Sequence, residues 1–217
     1  MAQLVGPSFG PSAGGPPRQL VVLLHGVGAD GQDLIGLAPM LAEFLPHARF
    51  VAPDGPQPCD LAPYGRQWFS LQDRRPTAMQ ASAERVAATV DAFLDDELAR
   101  CGLDDGSLAL VGFSQGTMMS LLVGPRRPRA MAAILGFSGA LLGPQQLAAA
   151  TRSRPPVMLI HGDADDVVPV EALFAAVEGL AAAEFQVQWI LRPDLPHSID
   201  PNGIDAGGRF LRSMFSG

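Results

Sequence analysis

The chain has 217 residues, 47% of them hydrophobic and 17% charged, which is enough for one large core and too few for two comfortable domains. A formal charge of −7 argues against a nucleic acid or an anionic membrane as partner, since either would require a basic patch. Cys59 and Cys101 are the only thiols and fit a reducing compartment, with a single disulfide left open. No basic-then-apolar leader opens the sequence, and no apolar run reaches the ~18 residues that span a bilayer. A cytoplasmic protein without integral membrane contact is therefore expected.

Gly6 to Pro17 is rich in Gly, Pro and Ser, which predicts a loose N-terminal arm over 1–18 and one domain over 19–217. Gln19 to Leu24 is an uninterrupted aliphatic run, as in a strand covered on both faces. It runs into His25-Gly-Val-Gly-Ala-Asp-Gly31, and helical spacing follows from Asp33 to Leu45. Arg49 to Ala52 predicts a second strand, and a Pro-rich connection extends from Pro53 to about Pro76. Ala78 to Arg100 reads as a helix with Val86, Val90, Phe93, Leu94 and Leu98 on one face. Leu108 to Val111 is a short buried strand, it breaks at Gly112-Phe-Ser-Gln-Gly116, and Thr117 to Val123 looks helical. Pro125-Arg-Arg-Pro-Arg129 reads as a solvated loop. Strands are expected at Ala132–Phe137, Val157–Ile160 and Phe185–Leu191, with helices at Val170–Ala183 and Ile204–Phe215. The alternation argues for an α/β fold, a mostly parallel sheet with helices on both faces.

In such sheets ligands bind beyond the carboxyl ends of the strands. His25, Ser114, Ser138, His161 with the acids that follow it, and the turn leading to His197 all come just after predicted strands. Polar groups would thus gather along one edge. A serine between glycines at a strand-to-helix turn is the arrangement that exposes a nucleophile. By itself the pattern is weak evidence: with 24 glycines in the chain, a chance match has a probability of roughly 0.2.

A serine hydroxyl needs a base, and the base needs a partner that fixes its tautomer. Of four histidines, His47 reads as a surface residue between a helix and a strand. His25 and His161 each precede a glycine at a strand end, where a buried imidazole bonded to backbone is the simpler reading. His197, in a loop beyond the last strand, is placed to reach Ser114. The carboxylate is expected from His161-Gly-Asp-Ala-Asp-Asp-Val-Val-Pro169, with Asp163, Asp165 and Asp166 all open. A calcium loop would need a later glycine and a terminal glutamate that this spacing lacks. The order serine, aspartate, histidine is that of α/β-hydrolases.

The sequence resembles the phospholipase/carboxylesterase family of α/β-hydrolases, which includes the acyl-protein thioesterases, and it looks most like the bacterial esterase branch. The likeness spans about Leu20 to Phe210. It rests on Leu24 to Gly31 with Asp33 and Leu34, on Pro53 to Pro56, on Gly65-Arg-Gln-Trp-Phe-Ser70, on Gly112 to Gly116, on His161 to Pro169 and on Pro196 to Ile199. The resemblance implies Ser114 as nucleophile, Asp165 as the acid, His197 as the base, and an oxyanion hole from the backbone N–H groups of Val27 and Gln115. It implies a small-molecule acyl ester as substrate and no metal or other cofactor, and it leaves a homodimer open. Trp68, Phe69 and Leu71, in the Pro53–Pro76 connection, are expected on the acyl side of the cleft, with a hydrophobic cluster pinning that loop as the alternative. The expected function is a serine carboxylesterase for short- to medium-chain esters. A thioesterase or lysophospholipase on the same fold, a dienelactone-hydrolase-like enzyme, and a catalytically silent binding module are the competing readings.

Overall fold

The computed structural model describes residues 4–216. Seven strands form one sheet in the order β1 (Ser8–Phe9), β3 (Ala48–Val51), β2 (Gln19–Leu24), β6 (Leu108–Phe113), β7 (Ala133–Phe137), β8 (Val157–Gly162) and β9 (Val187–Arg192). All neighbours run parallel except β1, which pairs antiparallel with β3. A two-stranded ribbon, β4 (Gln57–Pro58) with β5 (Arg66–Gln67), lies within the Pro53–Pro76 connection.

The central strands are apolar throughout because both faces are covered. Leu20, Val22 and Leu24 of β2 and Leu108 and Leu110 of β6 pack on the face that receives α3 (Pro76–Cys101), α4 (Gln115–Val123) and α6 (Glu171–Ala182). Val21, Leu23, Ala109 and Val111 face the opposite layer, built from α1 (Gly31–Leu34), α2 (Ala38–Ala42) and α7 (Pro201–Phe215). A short helix, α5 (Pro144–Ala150), follows β7 and packs on α6; the sequence reading does not contain it. The helix expected over 33–45 is broken by a 3₁₀ turn at Ile35–Leu37, and α2 restarts at Ala38 with Pro39 in its first turn, where the missing N–H costs nothing. Among the described residues no helix is long and apolar enough to cross a membrane.

The segment expected to be a loose arm is fastened from Leu4 onward; residues 1–3 lie outside the described residues. Leu4 is buried in the core, and the backbones of Val5 and Pro7 accept hydrogen bonds from Asp54 and Ala52. Phe9 packs on Phe50 across the β1–β3 pair. Backbone pairing with β3 and its flank, together with the burial of Leu4 and the packing of Phe9, thus holds the segment.

The Pro125–Arg129 stretch also departs from expectation. Arg127 is almost fully buried and pairs with Asp91, with Asp95 at 2.7 Å and with Asp105 at 2.7 Å. It ties the turn after α4 to α3 and to the entry of β6. Arg129 alone of the three extends into solvent, on Asp105.

Candidate active site

The site grows from the turn between β6 and α4. Ser114 sits at its apex with φ 54° and ψ −115°, a conformation that costs a non-glycine residue about 1–3 kcal/mol and persists only where the surroundings over-determine it. The surroundings do so. Ser114 N donates to Phe137 O of β7 at 2.9 Å, and Ser114 O accepts from Met118 N in α4. A Cβ at Gly116 would lie 1.7 Å from the Leu24 carbonyl oxygen, and one at Gly112 would lie 2.4 Å from Thr117 N. Only glycine lets helix and strand close this tightly around the serine.

Ser114 Oγ lies 3.0 Å from His197 Nε2, and His197 Nδ1 lies 2.7 Å from Asp165 Oδ2. A carboxylate at Nδ1 holds the proton there and leaves Nε2 free to accept from the serine. The Phe113 ring backs the imidazole, with centroids 4.8 Å apart. Asp165 Oδ1 accepts from the N–H groups of Val167 at 3.0 Å and Val168 at 2.8 Å. Burial works against ionisation of Asp165, but the hydrogen bonds from His197, Val168 and Val167 prevail and hold its carboxyl below the usual value. A second imidazole closes this turn. His161 Nε2 donates to Val168 O at 2.8 Å and stands 3.3 Å from Asp165 Oδ2.

The three candidate aspartates therefore separate by their partners. Asp163 Oδ1 accepts from Asp194 N at 2.7 Å and anchors the turn that carries His197. Asp166 is exposed. The His197 turn is fixed at its far end by Asp200, which accepts a two-nitrogen fork from Arg192 and caps α7 through Gly203 N. His197 is thus held between β9 and α7.

The loop after β2 lies against the serine: a Cβ at Gly26 would be 3.3 Å from Ser114 Cβ. His25 is buried, with Nδ1 donating to Gly26 O at 2.7 Å and Nε2 accepting from Gly55 N at 2.8 Å. Burial lowers its pKa, so it stays neutral and serves as a brace. In this loop Gly28 N donates to Arg66 O and Ala29 N to Gly26 O, whereas Val27 N and Gln115 N have no hydrogen-bond partner among the described residues. Gln115 N opens α4, where the helix dipole favours negative charge.

The Pro53–Pro76 connection is latched to this centre. The Gln115 side chain accepts from Trp68 N at 2.8 Å and donates to Phe69 O at 2.8 Å, and Trp68 Nε1 donates to His25 O at 2.9 Å. Trp68 and Phe69 have no exposed surface. In place of the cleft wall expected for them, they pin the connection against the core, because a large apolar ring gains most by full burial. Leu71 is half-buried against the same cluster. The latch role of Gln115 and the clamp role of His161 are absent from the sequence reading; both depend on contacts between segments at least four residues and up to 47 residues apart.

The arrangement can activate a hydroxyl toward a carbonyl carbon. A sequence model of the phospholipase/carboxylesterase family matches residues 11–215. The crystal structure of esterase PE8 superposes with a TM-score of 0.93 at 41% identity, covering 98% of this chain and 100% of that one. Esterase YpfH of Escherichia coli is 31% identical over 198 residues, which is 91% of this chain and 83% of the relative. Acyl-protein thioesterase 1 of Gibberella zeae is 28% identical over 89% of each chain. With a family match across nearly its whole length and an α/β-hydrolase sheet beneath the site, the chain belongs to the phospholipase/carboxylesterase family.

Proposed function

We propose that this protein is a serine carboxylesterase that hydrolyses short- to medium-chain acyl esters through Ser114, His197 and Asp165. It is a hydrolase of the esterase/thioesterase family, and the observation that carries the finer reading is the unbroken hydrogen-bond chain from Ser114 Oγ through His197 to Asp165. Ser114 Oγ attacks the ester carbonyl while His197 Nε2 takes its proton, and Asp165 stabilises the imidazolium. The tetrahedral oxyanion is received by the N–H groups of Val27 and Gln115, each worth about 3 kcal/mol of barrier. His197 returns the proton to the leaving alcohol, and water repeats the sequence on the acyl-enzyme. Leu71 borders the acyl side, and Trp68 and Phe69 stiffen the loop behind it.

The net charge of −7 supports a small neutral ester over an anionic lipid surface. The likeness to a protein named acyl-protein thioesterase keeps thioesters as the second reading. The test is hydrolysis of p-nitrophenyl esters from acetate to palmitate, with an acyl thioester in parallel and Ser114→Ala as control. An optimum at short or medium chains that vanishes in Ser114→Ala supports the proposal. Turnover of the thioester or of palmitate alone favours the second reading, and no Ser114-dependent turnover leaves a hydrolase fold used for binding.

A further inference from the structure

A cavity of about 370 Å³ lies between residues 4–6, β3 and α3, within the ~300–1,000 Å³ range of small-molecule sites. A Cβ at Gly6 would lie 2.0 Å from Ala52 O, so glycine is what lets the N-terminal segment lie against the end of β3 and close this wall. The cavity is separate from the site described above and shares no residue with it. Its strand β3 is two places from β6 in the sheet. Arg49, on the cavity wall, pairs in register with Leu20, five residues before His25. That is roughly 16 Å along the strand from the end where Ser114 sits.

Glu97 of α3 lines the cavity although it is only 2% exposed. Its Oε1 is held by Arg100, whereas its Oε2 is buried with no hydrogen-bond partner among the described residues. Arg49 Nε is likewise buried and without a hydrogen-bond partner there. The two atoms stand 3.6 Å apart, too far for a hydrogen bond to each other. Buried polar groups are nearly always hydrogen-bonded, and a buried carboxylate oxygen left open is the costlier kind of exception. An open acceptor and an open donor side by side on a cavity wall are therefore a place for one group that can serve both.

We propose that this cavity is a second, non-catalytic binding site for a small neutral alcohol, with the hydroxyl between Glu97 Oε2 and Arg49 Nε. A hydroxyl donates one hydrogen bond and accepts others, so it satisfies both atoms at once. An oxygen about 2.8 Å from each spans a gap of 3.6 Å, which suits a single bridging atom. Charge selects against the alternatives. The cavity residues Arg49 and Arg100 balance Asp96 and Glu97, so the walls carry no net charge. A carboxylate head group would meet Glu97 Oε2 and an ammonium would meet Arg49 Nε, each an uncompensated like-charge contact at a buried position. Leu4, Val51 and Phe93 complete the lining with apolar surface. They favour an alkyl body over water alone, which would leave that surface wet. The assignment does not rest on the proposed esterase activity, because the triad and the oxyanion donors take no part in it.

The experiment is a titration of the ¹⁵N-labelled full chain with 1-hexanol through the millimolar range, read as amide shifts by NMR, with hexanoate and hexylammonium as charged counterparts of the same length. The expected result is saturable shifts at Leu4, Val51, Thr89 and Phe93 with 1-hexanol, persisting in Ser114→Ala, and at least tenfold weaker binding of either ion. Two variants test the assignment from different sides. In Glu97→Gln, Arg100 keeps the side-chain oxygen, so the NH₂ turns toward Arg49 Nε and the acceptor is lost; affinity for 1-hexanol should fall at least tenfold. Ala92 is exposed on the cavity rim, so Ala92→Trp is expected to retain the fold while its indole fills the space, and the shifts should disappear. Absence of saturable shifts at these residues, as expected if solvent or another part of the chain fills the cavity, overturns the proposal. So do shifts confined to the Ser114 turn, binding of hexanoate or hexylammonium as tight as that of 1-hexanol, or an affinity that Glu97→Gln or Ala92→Trp leaves unchanged.

Discussion

Replacing Asp165 by asparagine should cost about 10⁴ in kcat with KM nearly unchanged, and the structure says why so small a change is so damaging. Asp165 Oδ1 is held by the N–H groups of Val167 and Val168, both donors. An asparagine must therefore keep its oxygen at that position and turn its NH₂ toward His197 Nδ1. The amide then donates where the carboxylate accepted, and the imidazole proton moves to Nε2, the atom that must accept from Ser114. His161 Nε2, 3.3 Å from Asp165 Oδ2, adds a second donor facing the same NH₂ and disfavours it further. An inverted tautomer of this kind typically lowers kcat by about 10⁴, or roughly 5 kcal/mol at 1.36 kcal/mol per decade. Asp165 is not expected to contact the substrate, so the loss falls on kcat alone. Steady-state kinetics on a p-nitrophenyl ester would measure it, with Asp163→Asn and Asp166→Asn alongside. Asp163→Asn keeps the oxygen that receives Asp194 N, and Asp166 is exposed, so both should stay within about tenfold of the unsubstituted enzyme. Near-normal turnover in Asp165→Asn, with collapse in either neighbour, would refute the reasoning.

Two further predictions concern the groups that hold the site together. Gln115→Ala keeps the backbone N–H proposed for the oxyanion but strands Trp68 N–H and Phe69 C=O in a buried position, at about 1–3 kcal/mol each. Calorimetry should show a drop in Tm of roughly 5–15 °C, while kcat falls by less than tenfold; an unchanged Tm would mean that the latch does not bear on stability. Asp105→Asn weakens the buried Arg127 cluster and should destabilise the fold by about 2–3 kcal/mol near neutral pH, less than a wholly broken buried pair because Asp91 and Asp95 remain. Burial opposes ionisation of Asp105, but Arg127 and Arg129 prevail, so its folded-state pKa lies below the unfolded value near ~3.9. Its stabilisation is accordingly full above that value and is lost as pH falls through the lower, folded one. Denaturant titrations should find the difference between the unsubstituted protein and Asp105→Asn shrinking from about pH 4 downward; a difference that grows with acidity would contradict the sign.

Much of the fold was legible because the central strands are short apolar runs ended by glycine or a polar cluster. Gln19–Leu24 was read with its observed limits, and Leu108, Ala133 and Val157 begin strands within a residue of expectation. What escaped depends on pairing between distant segments. Pro7 and Phe9 look like arm residues until β3 supplies a backbone partner, and Arg127 looks solvated until α3 brings Asp91 and Asp95 beside it. Trp68 and Phe69 illustrate the same limit in reverse: a large ring in a loop can line a cleft or fill a core, and the hydrogen bonds from Trp68 to His25 and Gln115 set the second outcome. The three aspartates after His161 were indistinguishable by residue type. Their partners separate them, and those partners lie about 30 residues downstream.

The central claim is that Ser114 is an activated nucleophile, and covalent labelling tests it most directly. Intact-mass measurement after treatment with a fluorophosphonate should show a single adduct per chain, mapped by peptide sequencing to Ser114, absent in Ser114→Ala and strongly slowed in His197→Ala. No adduct on the unsubstituted protein, or an equal adduct on Ser114→Ala, would contradict the account.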